Sequence, residues 1–489
     1  MCDKNLSFED CELAILRSAV DKLEKKSGKR KVNNPEVKSI IEIVEQFLKK
    51  SKRICYGGTA INNILPLEDQ FYDKEVELPD YDFFSPEPLK DAKKLADIYY
   101  KLGYNEVEAK SGMHPGTFKV YVNFLPIADI THLVPELYKN LHKKAIKVSG
   151  IYYSPPNYLR MAMYLELSRP NGDISRWEKV LKRLTLLNKH YPLKGKMCKS
   201  EDIQRLFQYG TRLENTNNKI TSLEKEDKYL ENIEEKIFLI VRDSLISTGC
   251  VFFGAYANRM YLKDLKRFRK KNISKVPDFD VLSEDPENTA RIIKERLEEI
   301  NIKKIKIKKK NGIGEIIAPH YEISIGPEIV AFIYEPLACH SYNIIKIGSH
   351  SMRIATLDTM LSFYLAFIYV NRPYYNENRI ICMSEYLFKV QQKNRLQQKG
   401  LLKRFSMNCY GKQSTLEDMR EEKASMYKKL KTKRKSKEYD WYFLRYMPYE
   451  SDKYYNPPKK VKKRRKNKKK KKTKKKKTLL SRLGFGGKR

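Results

Sequence analysis

Several things are scarce in this chain, and each scarcity excludes something. Eight cysteines are scattered through 489 residues with no Cys-x-x-Cys pair. Free thiols in a reducing compartment are therefore expected, rather than disulfides or zinc. Seven histidines show no metal-ligand spacing. No apolar run reaches membrane-spanning length; the longest, Met360 to Val370, is too short. The first residues, Met1-Cys2-Asp3-Lys4-Asn5, lack the apolar stretch of a signal peptide. A Walker A sequence is missing, which counts against a P-loop ATPase or helicase. Acid is also short: 60 Asp and Glu face 99 Lys and Arg, a formal net charge of +39. A surface so basic selects polyanions, nucleic acid first and anionic membrane second.

What is present is enough for real cores, with hydrophobic residues at 41 %, and the length suggests two or three domains. The stretch that organises the chain runs from Ile54 to Ser85. Ile54-Cys55-Tyr56 is a short apolar run stopped by Gly57-Gly58, and a short helix follows from about Thr59 to Leu65. A glycine pair between a strand and a helix start lets backbone N–H groups approach an anion closely. A second strand then carries Asp80 and Asp82. Side chains alternate along a strand, so both carboxylates leave from one face and Tyr81 from the other. Two convergent carboxylates suit a hard divalent cation such as Mg²⁺ when substrate phosphates supply the other ligands. Taken alone, the same Asp-x-Asp is also compatible with a solvated strand end.

The combination of Gly-Gly, a short helix and apolar-flanked Asp-x-Asp resembles the signature of the polymerase-β-like nucleotidyltransferases. The longer text, Tyr56-Gly57-Gly58-Thr59-Ala60-Ile61 with Pro79-Asp80-Tyr81-Asp82-Phe83-Phe84-Ser85-Pro86, is similar to the poly(A) polymerase catalytic subunits of large cytoplasmic DNA viruses, the poxvirus, asfarvirus and mimivirus types. The resemblance implies an α/β (α+β) fold of tandem nucleotidyltransferase modules with helical additions. It implies template-independent addition of AMP from ATP to an RNA 3′ end, with two Mg²⁺ or Mn²⁺ ions per site. Asp80 and Asp82 would hold the metals, Gly57 and Gly58 would give the triphosphate room, and a third carboxylate is expected on a later strand. Asp129, in Pro126-Ile127-Ala128-Asp129-Ile130, is the acid that a mostly apolar strand delivers at a suitable distance along the chain. Two other readings stand beside this one: a uridylyl- or CCA-adding transferase, and a non-catalytic RNA-binding subunit.

Around these motifs the chain reads as follows. Val37 to Leu48 has apolar positions at helical spacing and reads as a brace for the first strand. Ser85 is expected to cap a helix ending near Gly103. Pro155 to Leu167 reads as a helix bearing Arg160, either a triphosphate neighbour or a solvated arginine, and Trp177 to Tyr191 as an amphipathic helix. The first unit then recurs. Phe253-Gly254-Ala255-Tyr256 lies over Tyr56 to Thr59, and Pro277-Asp278-Phe279-Asp280 over Pro79 to Asp82. The glycine-to-aspartate interval is 23 residues in one copy and 24 in the other. This reads as an internal duplication. The second copy is expected to be silent: Gly58 becomes Ala255, Thr59 becomes Tyr256, and the slot of Asp129 falls, if to anything, to Glu335.

The implied organisation is a catalytic module over 1–191, connecting segments over 192–235, a degenerate module over 236–372, a tyrosine-rich basic region over 373–456 and a disordered tail over 457–489. From Lys459 onward the tail holds 19 Lys and Arg and no acid. Lys304, Lys306 and Lys308, on one alternating strand of the second copy, are candidate contacts for single-stranded RNA, although a solvated sheet edge would look the same. Expected partners are ATP and an RNA or mRNA 3′ end, with a homodimer or a viral cap-methyltransferase-like subunit as options and no membrane. The resemblance places the protein in the host cytoplasm, in viral factories, with packaging in the virion as an option.

Overall fold

The computed structural model describes residues 7–198, 223–261, 279–347, 350–394 and 397–451. Asp278, much of the connecting stretch after 191, and the Lys/Arg-rich tail lie outside them. In the first module the elements are α1 (Phe8–Val32), α2 (Pro35–Ser51), β1 (Ile54–Cys55), α3 (Gly57–Ile64), β2 (Tyr81–Ser85), α4 (Pro88–Lys101), β3 (Val107–Ser111), β4 (Thr117–Val122), β5 (Leu125–His132), α5 (Pro135–Lys144), β6 (Ile146–Val148), β7 (Ile151–Tyr153), α6 (Pro156–Leu167) and α7 (Trp177–His190). The second contains α8 (Leu223–Ser247), β8 (Val251–Phe253), α9 (Gly254–Tyr261), β9 (Phe279–Leu282), α10 (Pro286–Glu299), β10 (Ile305–Lys310), β11 (His320–Ile325), β12 (Glu328–Tyr334), β13 (His340–Ile347), β14 (His350–Ala355) and α11 (Leu357–Phe367). Then come α12 (Glu377–Lys393), β15 (Cys409–Tyr410), α13 (Leu416–Leu430), α14 (Lys437–Phe443) and β16 (Arg445–Tyr446).

Two eight-stranded sheets carry the duplication in their topology. The first runs β16-β3-β4-β5-β2-β1-β7-β6 and the second β10-β11-β12-β9-β8-β14-β13-β15. Laid β3 on β10 and β6 on β13, seven strands correspond in order and in every pairing sense, parallel only at β5/β2 with β12/β9 and at β1/β7 with β8/β14. The glycine opening the short helix has φ +71° in both copies, at Gly57 and at Gly254. The chain after α11 adds β16 to one edge of the first sheet and β15 to the opposite edge of the second.

Local sequence explains the elements that position the site. Asn34 caps α2 by accepting from the Glu36 N–H at 2.9 Å, and Pro35 occupies its first turn. The apolar face of α2 (Val37, Ile40, Val44, Phe47, Leu48) is buried. Strand β4 alternates cleanly: Phe118, Val120 and Val122 are buried, while Thr117, Lys119 and Tyr121 face the open side. Fully buried side chains such as Phe83 and Phe118 each contribute roughly 1.5–3 kcal/mol. α6 and α11 pack against each other and join the two modules. Ser85 does not cap α4. It is fully buried, donates to Asp91 at 2.6 Å and accepts from the Glu87 N–H at 2.9 Å, beside the Arg53–Asp91 ion pair.

Cysteine use differs from the expectation. Cys198 is bonded to Cys382 and Cys339 to Cys409, and Cys11 is also in a disulfide; Cys55 and Cys250 are buried free thiols. The two pairs span 184 and 70 residues, so no local spacing announces them. Among the described residues no helix is long and apolar enough to cross a membrane.

Candidate active site

The site is built on the open face of the first sheet. Parallel pairing of β2 with β5 sets Asp82 directly beside Asp129, and antiparallel pairing of β5 with β4 sets Asp129 beside Lys119. Directly paired residues point to the same face, so the two carboxylates and the ammonium form one row about 5 Å apart per strand. Lys119 Nζ donates to Asp129 Oδ2. Asp80 precedes β2, its carbonyl held by the Thr59 hydroxyl at 2.6 Å. The Tyr56 N–H donates to the Asp82 carbonyl at 2.9 Å, and the Tyr56 hydroxyl bonds Thr131 at 2.9 Å while its ring stacks on Phe84.

Charge is unbalanced in this row. Burial, then the neighbouring Asp80 and Asp129 carboxylates, push the Asp82 carboxyl up to about 7, with Lys119 and Arg176 pulling the other way. Asp80 is raised as well, by burial and then by Asp129. At Lys119 burial works against the charge, but the bond to Asp129 outweighs it and the ammonium is held above its ordinary value. Three acids share one immediate cation, and such a cluster favours an added positive charge. Among the described residues no three His, Cys, Asp or Glu side chains converge as a ready-made metal-ligand set. The donors are all oxygens, and paired carboxylates completed by substrate phosphate oxygens fit a hard divalent cation.

The two glycines do different work. Gly57 needs its positive φ, and a Cβ on it would lie 2.9 Å from Asp82 Oδ2. Gly58 makes room for two side chains instead: a Cβ there would meet the Tyr72 hydroxyl at 2.3 Å and Arg183 Nη1 at 2.9 Å. Arg183 Nη2 donates to the Tyr72 hydroxyl at 2.8 Å and its guanidinium lies over the Phe71 ring at 4.7 Å. Buried Asn62 in α3 accepts the N–H groups of both Phe71 and Tyr72, at 2.8 and 2.9 Å, and so fixes that segment over the turn. Lys119, Arg183, Tyr72 and Asn62 escaped the sequence reading. A lysine on an alternating strand looks like any solvated lysine, and Arg183 reaches the turn only through tertiary packing. Arg160 takes neither of its expected roles: it is buried, and its guanidinium donates to Asn157, Asn188 and the Tyr191 carbonyl.

In the second sheet the same row reads differently. Asp280 is paired with Phe332, and Phe332 with Glu322. The slot of Asp129 therefore holds Phe332, not Glu335, which is exposed beyond the strand end. Glu322 stands in the place of Lys119, and Tyr334 in that of Thr131. Tyr334 bonds Tyr375 at 2.9 Å, Tyr375 stacks on Phe367, and the cavity left beside Asp280 is about 40 Å³. Tyr256, the counterpart of Thr59, packs against Phe252 and Phe279. Lys304, Lys306 and Lys308 are exposed at and before the edge strand β10, in the second module rather than beside the carboxylates. Lys308 occupies there the position of Lys110 in the first sheet.

With this geometry in hand, comparison with known proteins is direct. Residues 42–173, which include all three aspartates and both glycines, match the family model of the poly(A) polymerase catalytic subunit. That stretch is similar to the poly(A) polymerase catalytic subunits over the part of the chain that carries the site. A poly(A) polymerase catalytic subunit of African swine fever virus is 33 % identical over 180 residues, 36 % of this chain and 38 % of that protein. The mimivirus catalytic subunit is 32 % identical over 162 residues, 32 % of this chain and 27 % of its own length. The matches thus span little more than a third of these relatives at most. A crystal structure of the Megavirus polyadenylate synthase aligns with 92 % of this chain and 88 % of that one, at a TM-score of 0.72 and 20 % identity. At that identity the likeness concerns the fold, and it extends over both modules.

Proposed function

We propose that the chain is a template-independent poly(A) polymerase that transfers AMP from ATP to RNA 3′ ends, and that the first module alone is catalytic. The observation that carries this reading is the row Asp82–Asp129–Lys119 beside the glycine turn, set against its loss in the second module. The RNA 3′ oxygen attacks the α-phosphorus of ATP, the bond to the β-phosphate breaks, and pyrophosphate leaves. Gly57 and Gly58 let the triphosphate approach the backbone at the start of α3, with Arg183 and Tyr72 above it. Asp129, bonded by Lys119 through its other oxygen, accepts a hydrogen bond from the 3′-hydroxyl and orients it. Asp80 and Asp82 would hold Mg²⁺ or Mn²⁺, two per site with Asp129 completing the second; when bound, the ions neutralise the phosphates and lower the pKa of the hydroxyl. Positioning and charge neutralisation are what this chemistry asks of a protein.

Selection of ATP over other nucleotides rests on the family resemblance. Action in the host cytoplasm rests on it too; the disulfides are the feature that sits against a reducing compartment, and thiol titration of protein purified without oxidant tests it. A homodimer or a cap-methyltransferase-like partner is a proposal of the same origin, tested by light scattering of the purified protein. For the activity itself, Asp82→Asn should abolish addition to an oligo(A) primer while RNA binding survives. Retained turnover above a few per cent in an Asp80/Asp82 double variant contradicts the assignment.

A further inference from the structure

The row that ends at Asp82 continues in the other direction. Lys119 is paired with Lys110 on β3, and Lys110 with Arg445 on β16. Directly paired residues share a face, so Asp129, Lys119, Lys110 and Arg445 lie in one line across four strands. At about 4.8 Å per strand the line reaches roughly 15 Å from Asp129 to the sheet edge. Its last member comes from a segment more than three hundred residues away along the chain.

That segment is stitched in place. The Ser111 N–H donates to the Leu444 carbonyl at 3.0 Å and the Ser111 hydroxyl to the Tyr442 carbonyl at 2.8 Å. On the closed face, Tyr446 donates to Asp97 at 2.6 Å and Lys93 pairs with Asp440 at 2.7 Å. These contacts orient β16 so that Tyr446 turns inward and Arg445 outward, onto the catalytic face. Lys110 lies 4.0 Å above the Tyr121 ring on that same face. One acid is interposed: Glu108 sits 3.6 Å from Lys110 and 3.3 Å from Arg445. The Arg445 side chain is 73 % exposed and that of Glu108 29 %, so an approaching polyanion meets the cations first.

We infer that the open face of β4, β3 and β16 is the track along which the RNA backbone runs up to its 3′ end, with Lys110 and Arg445 as phosphate contacts and Tyr121 supporting them. This rests on the polymerase reading for its substrate. A basic groove with aromatic platforms is what sequence-independent binding of a single strand requires, and a line of cations ending at the carboxylates gives that strand a direction. The alternative role, charges that keep a sheet edge from pairing with another molecule, makes no demand on RNA binding.

The test is binding of labelled oligo(A) to the full chain, without ATP, as a function of salt. Each single-strand phosphate contact adds about 0.7 to the salt slope, so Lys110→Gln with Arg445→Gln should flatten it by about 1.4. Lys110→Arg with Arg445→Lys should restore the slope. Glu108→Gln removes the interposed acid and should tighten binding, which keeps the idea testable even if the double variant folds poorly. A wild-type slope in a folded Gln/Gln variant, or no tightening in Glu108→Gln, overturns the track. Because no nucleotide is added in this assay, a protein that binds in this manner yet fails to incorporate AMP refutes the polymerase reading and leaves the track standing.

Discussion

Alanine at Gly57 and alanine at Gly58 should fail in opposite ways, although the glycines are adjacent. At Gly57, φ is +71°, a region that costs an L-residue about 1–2 kcal/mol. The new Cβ would also stand 2.9 Å from Asp82 Oδ2, so the carboxylate must swing out of its row. A displacement approaching 1 Å at the reacting groups costs on the order of 100-fold in rate. Gly57→Ala should therefore lower kcat by about that factor and lower the melting temperature. Gly58 lies inside α3 without positive φ, where alanine is favoured over glycine by up to about 1 kcal/mol. Its Cβ would collide with the Tyr72 hydroxyl at 2.3 Å and Arg183 Nη1 at 2.9 Å. Both are tips of flexible side chains, so the fold yields at small cost, but the guanidinium leaves its place over the turn. Losing one charge-assisted bond of about 1.5–3 kcal/mol should raise the KM for ATP by roughly tenfold or more, with kcat less affected. Steady-state single-nucleotide addition, together with a thermal melt of each variant, reads the split. Full kcat in Gly57→Ala, or an unchanged KM in Gly58→Ala, refutes this division of labour.

Other outcomes follow from the same geometry. In metal-free protein the folded state holds the Asp82 proton up to about pH 7, while the unfolded chain releases it near 3.8. The folded state binds more protons in between, so stability should fall as pH rises through that window; Asp82→Asn should lose this slope in chelator-treated melts, and an identical slope contradicts the charge crowding. Asp280→Ala, beside a cavity of about 40 Å³, should cost little activity once folding is checked; a folded variant as dead as Asp82→Asn means the second module works. Replacing Lys304, Lys306 and Lys308 with Gln should shorten the tail made per binding event and spare single-nucleotide addition, and unchanged tail length removes those lysines from the RNA path.

Much of the first module was legible because its signals are local. A strand, a glycine pair and a short helix sit within a dozen residues, and alternation states the face of Asp82, whereas Asp80, expected on the same strand, lies just before it. Nearly equal spacing of the two Gly and Asp blocks, 23 and 24 residues, announced the duplication that the strand orders display. What stayed hidden depends on pairing between distant segments. Glu335 was a reasonable expectation for an acid near a strand end, yet register decides the slot, and β12 pairs so that Phe332 lies opposite Asp280. A three-residue error in register exchanges a carboxylate for a phenyl ring. Strands β15 and β16 are two residues each, too short to carry a period, and Cys198–Cys382 and Cys339–Cys409 join cysteines with no common neighbourhood in the chain. Arg183 and Tyr72 meet only because Asn62 pins the intervening loop.

The central claim is that one constellation, Asp80, Asp82 and Asp129 with the glycine turn, transfers adenylate to RNA. Purified full-length protein incubated with a labelled oligo(A) primer, Mg²⁺ or Mn²⁺ and one nucleoside triphosphate at a time addresses it most directly. Long extension is expected with ATP, little with the other three, none in the presence of a chelator and none from Asp82→Asn. Metal-dependent extension by Asp82→Asn equal to that of the wild type, or a wild type that binds the primer and never extends it with any nucleotide, would contradict the account.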